Sequence, residues 1–448
     1  MATSLGPDYA VARARDDRRP VWASFETVEF LALCVVFTLL QTGLGGIAGA
    51  AVVSAEGAIL AMLLVARGAR GATRLSVFLP LLAYPLFAVA STAWSLAPNM
   101  TLRYSLELLF TSLIGLYLGL YRRPSDIVKI FFISTAAGLI LSIASNRQGP
   151  SATGMVLVGL VGSKNAMAFL AQWAAISALG VLLLPRVSYG YRLAALLILA
   201  PAAYFSLHVH AATAAVTLYL GVCVLLALYA LCRLPAPIRY LAAATVVGSV
   251  AVGLLLKDMW LPAAEDFMIH VLHKDLTLTG RTVLWDYARE FMARRPLLGR
   301  GYKEIWTGGS VDTEGLLRFA KITDGRGFYF HETYLDAGVD CGFVGMLILV
   351  LTFLLVLGAL TWRFLRTPSA ALAYLLSAYV LLMLRSFSET LMQPLSPYCA
   401  LIFCCGVVAL RVGRTPSPAA RTAQMRLFAR PAPLRRAPGA PAPSAAEL

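Results

Sequence analysis

Apolar stretches of about 20 residues recur along this chain, each long enough for an α-helix to cross a hydrocarbon layer roughly 30 Å thick. Backbone groups inside lipid must be satisfied within the protein, so only helices and closed barrels can span it. A barrel would show short alternating segments, whereas these runs are continuous. Composition points the same way: 59% of residues are hydrophobic and 14% charged, against about 45–50% and 25% in soluble domains. The expected fold is all-α and polytopic, with about twelve transmembrane helices and one large periplasmic loop containing short helices. The spans read as 27–46, 50–66, 76–95, 103–121, 127–145, 165–184, 193–206, 212–231, 239–256, 338–362, 369–387 and 395–411. The seventh is short and the first two are joined by small residues only, so ten or eleven spans also fit.

Charge sets the expected organisation. Residues 1–24 form an arginine-rich cytoplasmic arm with no signal peptide, so the first span serves as the start signal. Residues 25–256 carry helices one to nine, 257–330 the periplasmic loop, 331–412 helices ten to twelve, and 413–448 a Pro/Ala/Arg-rich cytoplasmic tail expected to be disordered. Alternate connections hold Arg67, Arg70 and Arg74; Arg122, Arg123 and Lys129; Arg186 and Arg192; Arg233 and Arg239; and Arg363 and Arg366. The intervening short ones, 97–102, 206–212 and 386–392, lack Lys and Arg. The positive-inside rule then puts both termini in the cytoplasm and the long loop on the other side of the membrane. The net charge of +15 reflects this topology and a basic tail, with no sign of nucleic-acid binding. Seven cysteines lie in or beside apolar spans and none in the long loop, so neither disulfides nor thiol chemistry is expected.

Polar residues at span ends on one side of the membrane are the candidates for function. On the predicted outer side these are Arg103 with Glu107, Lys164 and Asn165, His208 and His210, Arg281, His331, and Arg385 with Glu389. Arg281 opens a helix in GRTVLWDYAREFMARRPLLGRGY, where Val283, Leu284, Tyr287 and Phe291 form an apolar stripe that stops at Pro296. A guanidinium at a helix N-terminus suits a phosphate; it equally suits lipid headgroups. His331, in GFYFHETYLDAGVDCGFVG, re-enters the membrane on the face of Tyr334 and Leu335. An imidazole there can take a hydroxyl proton near neutral pH, oriented by Asp336 or Glu332, or it can fix the loop by hydrogen bonds.

Lys164 and Asn165 offer an ammonium and an amide to a phosphate or sugar, or snorkel and cap a helix. His208 and His210 lack a third ligand, so no metal site is expected, and Arg385 and Glu389 read as an i,i+4 pair that can also hold substrate. No phosphate-binding GxxxxGK[ST] loop or carboxylate cluster occurs; Asp312 and Glu314 come nearest. No cofactor is expected.

The run GRTVLWDYAREFMARRPLLGRGY followed by HETYLDAGVDCGFVG resembles the signature region of the O-antigen ligase family, which includes O-antigen polymerase-like and exopolysaccharide polymerisation membrane proteins. SKNAMAFL is similar to that family's Lys-Asn segment and RSFSET to its late Arg…Glu segment. The family usually has Asn where this chain has Glu332, and a basic residue before the eighth span where this chain reads SLHVHAATAA, leaving His208 or His210 as candidates.

The resemblance implies an inverting, metal-independent glycosyltransferase on the periplasmic face of the bacterial inner (cytoplasmic) membrane. Its donor is a glycan on undecaprenyl pyrophosphate, and its acceptor is lipid A–core in a ligase or the glycan's own end in a polymerase. Arg281, helped by Lys164 or a histidine, neutralises the leaving pyrophosphate, and His331 activates the acceptor hydroxyl. Membrane lipids and polysaccharide chain-length or export proteins are the further partners. A transporter or flippase of lipid-linked glycans is the alternative of another class; it should hold its charges near the membrane midplane on broken helices, often in repeated halves. A nonenzymatic scaffold is a third.

Overall fold

The structure, a computed structural model, describes residues 25–42, 50–68, 76–151, 154–208, 212–270, 281–307, 310–319 and 328–411. The N-terminal arm, the C-terminal tail and His210 lie outside the described residues. The described chain is almost entirely helical. Its helices are α1 (Phe25–Thr42), α2 (Ala50–Arg67), α3 (Ala83–Ala90), α4 (Pro98–Tyr121), α5 (Pro124–Ser145), α6 (Lys164–Leu183), α7 (Tyr189–His208), α8 (Ala212–Leu231) and α9 (Ala236–Leu255). After these come α10 (Lys257–His270), α11 (Arg281–Arg294), α12 (Glu304–Thr307), α13 (Val311–Phe319), α14 (Thr333–Arg366), α15 (Ala370–Arg385) and α16 (Pro397–Leu410). One antiparallel hairpin, Gln148–Ser151 with Gly154–Leu157, joins α5 to α6.

Among the described residues, eight helices (α1, α4 to α9 and α14) are long and apolar enough to cross a membrane by length and composition. Leu79–Ala93, α15 and α16 are shorter apolar segments. This is an all-α polytopic membrane protein. Two expected spans differ in detail. The stretch 76–95 is a 3-10 turn at Leu79–Leu82, the short α3 and a second 3-10 turn at Ser91–Ala93, because Pro80 and Pro85 withdraw backbone donors. The short seventh span is a full helix of 20 residues with Pro201 inside it.

Packing follows membrane rules, in which small residues let backbones approach. Gly115 and Gly119 of α4 face α16 so closely that an added Cβ would lie 2.1 Å from the Ala400 carbonyl oxygen and 2.6 Å from that of Cys404. At one end of the bundle the fully buried Glu29 carboxylate binds Arg67 (Oε2–Nη2 2.6 Å), Arg122 (3.0 Å) and the Tyr117 hydroxyl, tying α1, α2 and the α4–α5 turn together.

The long α14 breaks at Gly342 (φ 66°), and the chain after α11 repairs the break. A kinked helix leaves carbonyls behind the kink and amides ahead of it without partners. Arg300 N–H and Gly301 N–H donate to the Val339 and Asp340 carbonyls (2.9 and 2.8 Å). Phe343 N–H and Val344 N–H donate to the Pro296 and Leu297 carbonyls (2.7 and 3.2 Å). The approach requires glycine, since a Cβ on Gly342 would sit 2.2 Å from the Leu297 oxygen. Trp94 Nε1–H to the Leu298 carbonyl (2.9 Å), Tyr302 N–H to Ser91 Oγ (3.0 Å) and Tyr302 O–H to the Met392 carbonyl (2.7 Å) lash the same PLLGRGY segment to its neighbours.

Over the start of α14, Leu284, Ala288, Phe291 and Met292 of α11 pack with Ile305, Trp306, Leu316, Phe330 and Val339 in a second small core. The buried stripe of α11 therefore differs from the expected one: Leu284 and Phe291 are inside, while Val283 and Tyr287 are exposed. Phe330 is fully buried in this core, which fixes the chain one residue before His331.

Candidate active site

The site forms where α11, the start of α14 and the α15–α16 connection meet, and a carboxylate organises it. Glu389 Oε1 accepts from Arg281 Nη2 (2.9 Å) and Glu389 Oε2 faces His331 Nδ1 (3.0 Å). A further Arg281 N–H donates to the Ser388 carbonyl. All three side chains are mostly buried, with 18%, 22% and 19% of Arg281, His331 and Glu389 exposed. Burial opposes ionisation of Glu389. The His331 hydrogen bond and the charges of Arg385 and Arg281 outweigh it and hold the carboxyl at about 2.

His331 stands before the helix rather than in it. Glu332 is the N-cap of α14 and its carboxylate accepts from Leu335 N–H, so the expected shared face with Tyr334 and Leu335 does not form. His331 instead takes a left-handed backbone (φ 56°), which turns it away from the helix axis. Phe328 packs edge-on against the imidazole (centroids 5.0 Å), and Trp285 Nε1–H donates to the Phe330 carbonyl (2.9 Å).

Neither Asp336 nor Glu332 orients the imidazole; Glu389 does. The buried Asp336 accepts from Phe330 N–H (3.2 Å) and from the Thr390 hydroxyl, gripping the residues next to His331 and to Glu389 at once. Thr333 acts likewise: its N–H donates to the Ser386 carbonyl (2.9 Å) and its hydroxyl to the Glu389 carbonyl (2.6 Å). Beneath them the Lys303 ammonium lies over the Tyr329 ring (3.5 Å). Burial lowers it from the usual lysine range against the opposing pull of Asp336 and Asp340.

The other expected site residues divide. Arg385 ends α15 with its guanidinium 3.5 Å above the Phe169 ring, and its nearest approach to Glu389 is 3.8 Å. The i,i+4 pair is therefore loose, because Glu389 is committed to Arg281 and His331. Lys164 and Asn165 open α6, about one turn ahead of Phe169, with Ser163 capping the helix through Ala166 N–H (3.2 Å). Arg103 is exposed and pairs with Glu107 (3.1 Å), outside this cluster. His208 is exposed and stacked on Tyr204 (4.3 Å). Among the described residues no His, Cys, Asp or Glu group has metal-binding geometry, and Asp312 pairs with Arg294 and Arg300 (3.3 Å each).

Phe169, Trp285, Thr333, Lys303 and Thr390 escaped the sequence reading. Only Trp285, in the aromatic helix beside Arg281, carried a signal that could have marked it.

A family model described as O-antigen ligase matches residues 151–350, the stretch that contains Lys164, Arg281 and His331. Over that stretch the chain resembles the O-antigen ligase-like family. It is also similar to the exopolysaccharide production protein ExoQ of Rhizobium meliloti (strain 1021), 29% identical over 335 residues that cover 72% of this chain and 74% of that protein. The two similarities together support a function of the O-antigen ligase or polymerase type in polysaccharide biosynthesis. Glu389 lies beyond the matched stretch, so the carboxylate that completes the site comes from the C-terminal helices.

Proposed function

We propose that this protein transfers a glycan from undecaprenyl pyrophosphate to an acceptor hydroxyl, with inversion, at the periplasmic face of the inner membrane, both termini being cytoplasmic. One observation carries the reading: a cation suited to phosphate and a base suited to a hydroxyl are held on the two oxygens of one carboxylate.

The chemistry follows from hydrogen-bond capacity. An ionised Glu389 can only accept, so the imidazole proton sits on Nδ1 and the Nε2 lone pair is available. The acceptor oxygen attacks the anomeric carbon while its proton passes to Nε2. The bond from that carbon to the pyrophosphate oxygen breaks, and the electron pair leaves with the pyrophosphate. Glu389 then faces an imidazolium and stabilises it. Arg281 spends one N–H on Ser388 and one on Glu389, which leaves guanidinium donors for the leaving group at the α11 N-terminus. Arginines aimed at developing phosphate charge lower the barrier most, because they need no reorganisation when the bond breaks.

The similarity to an exopolysaccharide production protein favours the growing glycan's own end as acceptor, as in a polymerase. The family description favours a ligase acting on lipid A–core. Polysaccharide chain-length or export proteins are the expected partners.

Proteoliposomes containing the full chain and a lipid-linked oligosaccharide, offered glycan or lipid A–core, test this reading. Longer glycan supports a polymerase and modified core a ligase. Movement of the donor across the bilayer with no new glycosidic bond would overturn both in favour of a flippase.

A further inference from the structure

Beside the triangle of Arg281, His331 and Glu389, Gln41, Trp173 and Arg385 lie against the packed pair of rings Tyr398 and Phe169, with donors that make no hydrogen bond within the described residues. Tyr398 of α16 is the centre. Its hydroxyl donates to Gln41 Oε1 of α1 (3.0 Å), and its ring packs on Trp173 (5.3 Å) and Phe169 (4.4 Å) of α6. Phe169 in turn carries the Arg385 guanidinium at 3.5 Å. Gln41 Nε2 and Trp173 Nε1 are buried without a hydrogen-bond partner. Arg385 is 8% exposed, and among the described residues its guanidinium makes no hydrogen bond. The elements that carry them meet at the end of the bundle that holds Glu389.

A structural role does not account for this. Arg385 lends Glu389 its charge from 3.8 Å but no hydrogen bond, because the carboxylate oxygens already take Arg281 at 2.9 Å and His331 at 3.0 Å. Buried donors left unpaired cost stability, and Gln41 Nε2 and Trp173 Nε1 are two such donors. Two arginines against one carboxylate leave a net positive charge, so the missing group is an anion rich in acceptors. Both guanidinium groups face the same oxygen of Glu389, at 2.9 and 3.8 Å, a spacing that suits two linked phosphoryl groups.

We propose that Arg385, with Gln41 Nε2 and Trp173 Nε1, forms a second oxyanion seat that takes one phosphoryl group of the donor while Arg281 takes the other. The inference rests on the proposed transferase reading. The second cation is supplied by the end of α15. Phe169 fixes its plane, so little freedom is lost on binding.

The test is calorimetric titration of the purified full chain with geranylgeranyl pyrophosphate, geranylgeranyl monophosphate and geranylgeraniol. R385Q should weaken pyrophosphate binding at least about tenfold, the loss of charge-assisted hydrogen bonds, with R385K recovering part of it. W173F and Q41M, which remove neutral donors and keep bulk, should each weaken it about threefold, within the range of one neutral hydrogen bond. Geranylgeraniol binding should stay unchanged throughout, and His331→Asn should bind the pyrophosphate like wild type. Unchanged pyrophosphate affinity in R385Q would overturn the second seat. Should R385Q not fold, unchanged affinity in both W173F and Q41M would do so. A wild-type chain that binds pyrophosphate no better than the alcohol would instead sink the transferase reading itself.

Discussion

Arg281 and His331, fifty positions apart in sequence, contact opposite oxygens of one carboxylate, at 2.9 Å on Glu389 Oε1 and 3.0 Å on Oε2. A single side chain thus sets the spacing between the proposed phosphate-binding cation and the proposed base, and an ionised Glu389 favours the imidazole proton on Nδ1.

Replacing that carboxylate should separate catalysis from binding. In E389Q the amide keeps the shape and loses the charge that holds the tautomer and stabilises the imidazolium. Turnover should fall by about tenfold to a thousandfold, within the range of general base catalysis, with a smaller change in KM for the acceptor. Initial rates at saturating donor measure this, and E389D should fall between. Because the carboxyl sits at about 2, its contribution to stability holds above its ordinary 4.5 and is lost only as pH falls towards 2.

Glu332 should behave with the opposite sign. Burial, reinforced by Asp336, raises its carboxyl to about 7 against the pull of the Leu335 and Tyr334 amides. A raised acid favours the fold below its ordinary 4.5, and that advantage disappears as pH rises through 7. E332Q keeps an oxygen to cap α14 without a charge to bury. It should melt higher than wild type above pH 7, and the difference should shrink towards pH 4.5. Thermal unfolding in detergent across that window gives the answer.

Gly342 tests the repaired helix break. G342A places a Cβ at φ 66°, 2.2 Å from the Leu297 oxygen, so the PLLGRGY segment must move. Left-handed strain alone costs about 1–3 kcal/mol. The variant should lose stability by at least that much and lose transfer activity, because the segment anchors the second core that fixes Phe330. Protease sensitivity of the 295–303 region should rise in parallel.

At the other end of the bundle, Glu29→Gln leaves the guanidinium groups of Arg67 and Arg122 facing one neutral amide. Removing one partner of a buried ion pair costs about 3–5 kcal/mol. The melting temperature should drop, while turnover per folded molecule at low temperature should remain, since no residue of the site contacts Glu29.

The helices were legible because lipid imposes one rule on every span: about 20 apolar residues, with charges at the ends. All twelve expected stretches meet helical structure, and the one that breaks up, 76–95, carries Pro80 and Pro85 inside its apolar run. Arg281, His331, Arg385 and Glu389 were legible as polar residues beside spans. Their wiring was not. The four-residue spacing of Arg385 and Glu389 implies a helical pair, but α15 ends at Arg385, and the turn after it carries Glu389 to the other two residues. His331 was read into a helix that begins two residues later, since a left-handed backbone at histidine leaves no mark in sequence.

Single-turnover transfer with H331A, in proteoliposomes loaded with lipid-linked oligosaccharide, distinguishes His331 as base from His331 as structural anchor. If His331 is the base, its loss should leave insertion and binding of the pyrophosphate donor as in wild type and abolish formation of the glycosidic bond. Transfer at the wild-type rate by H331A would contradict that role.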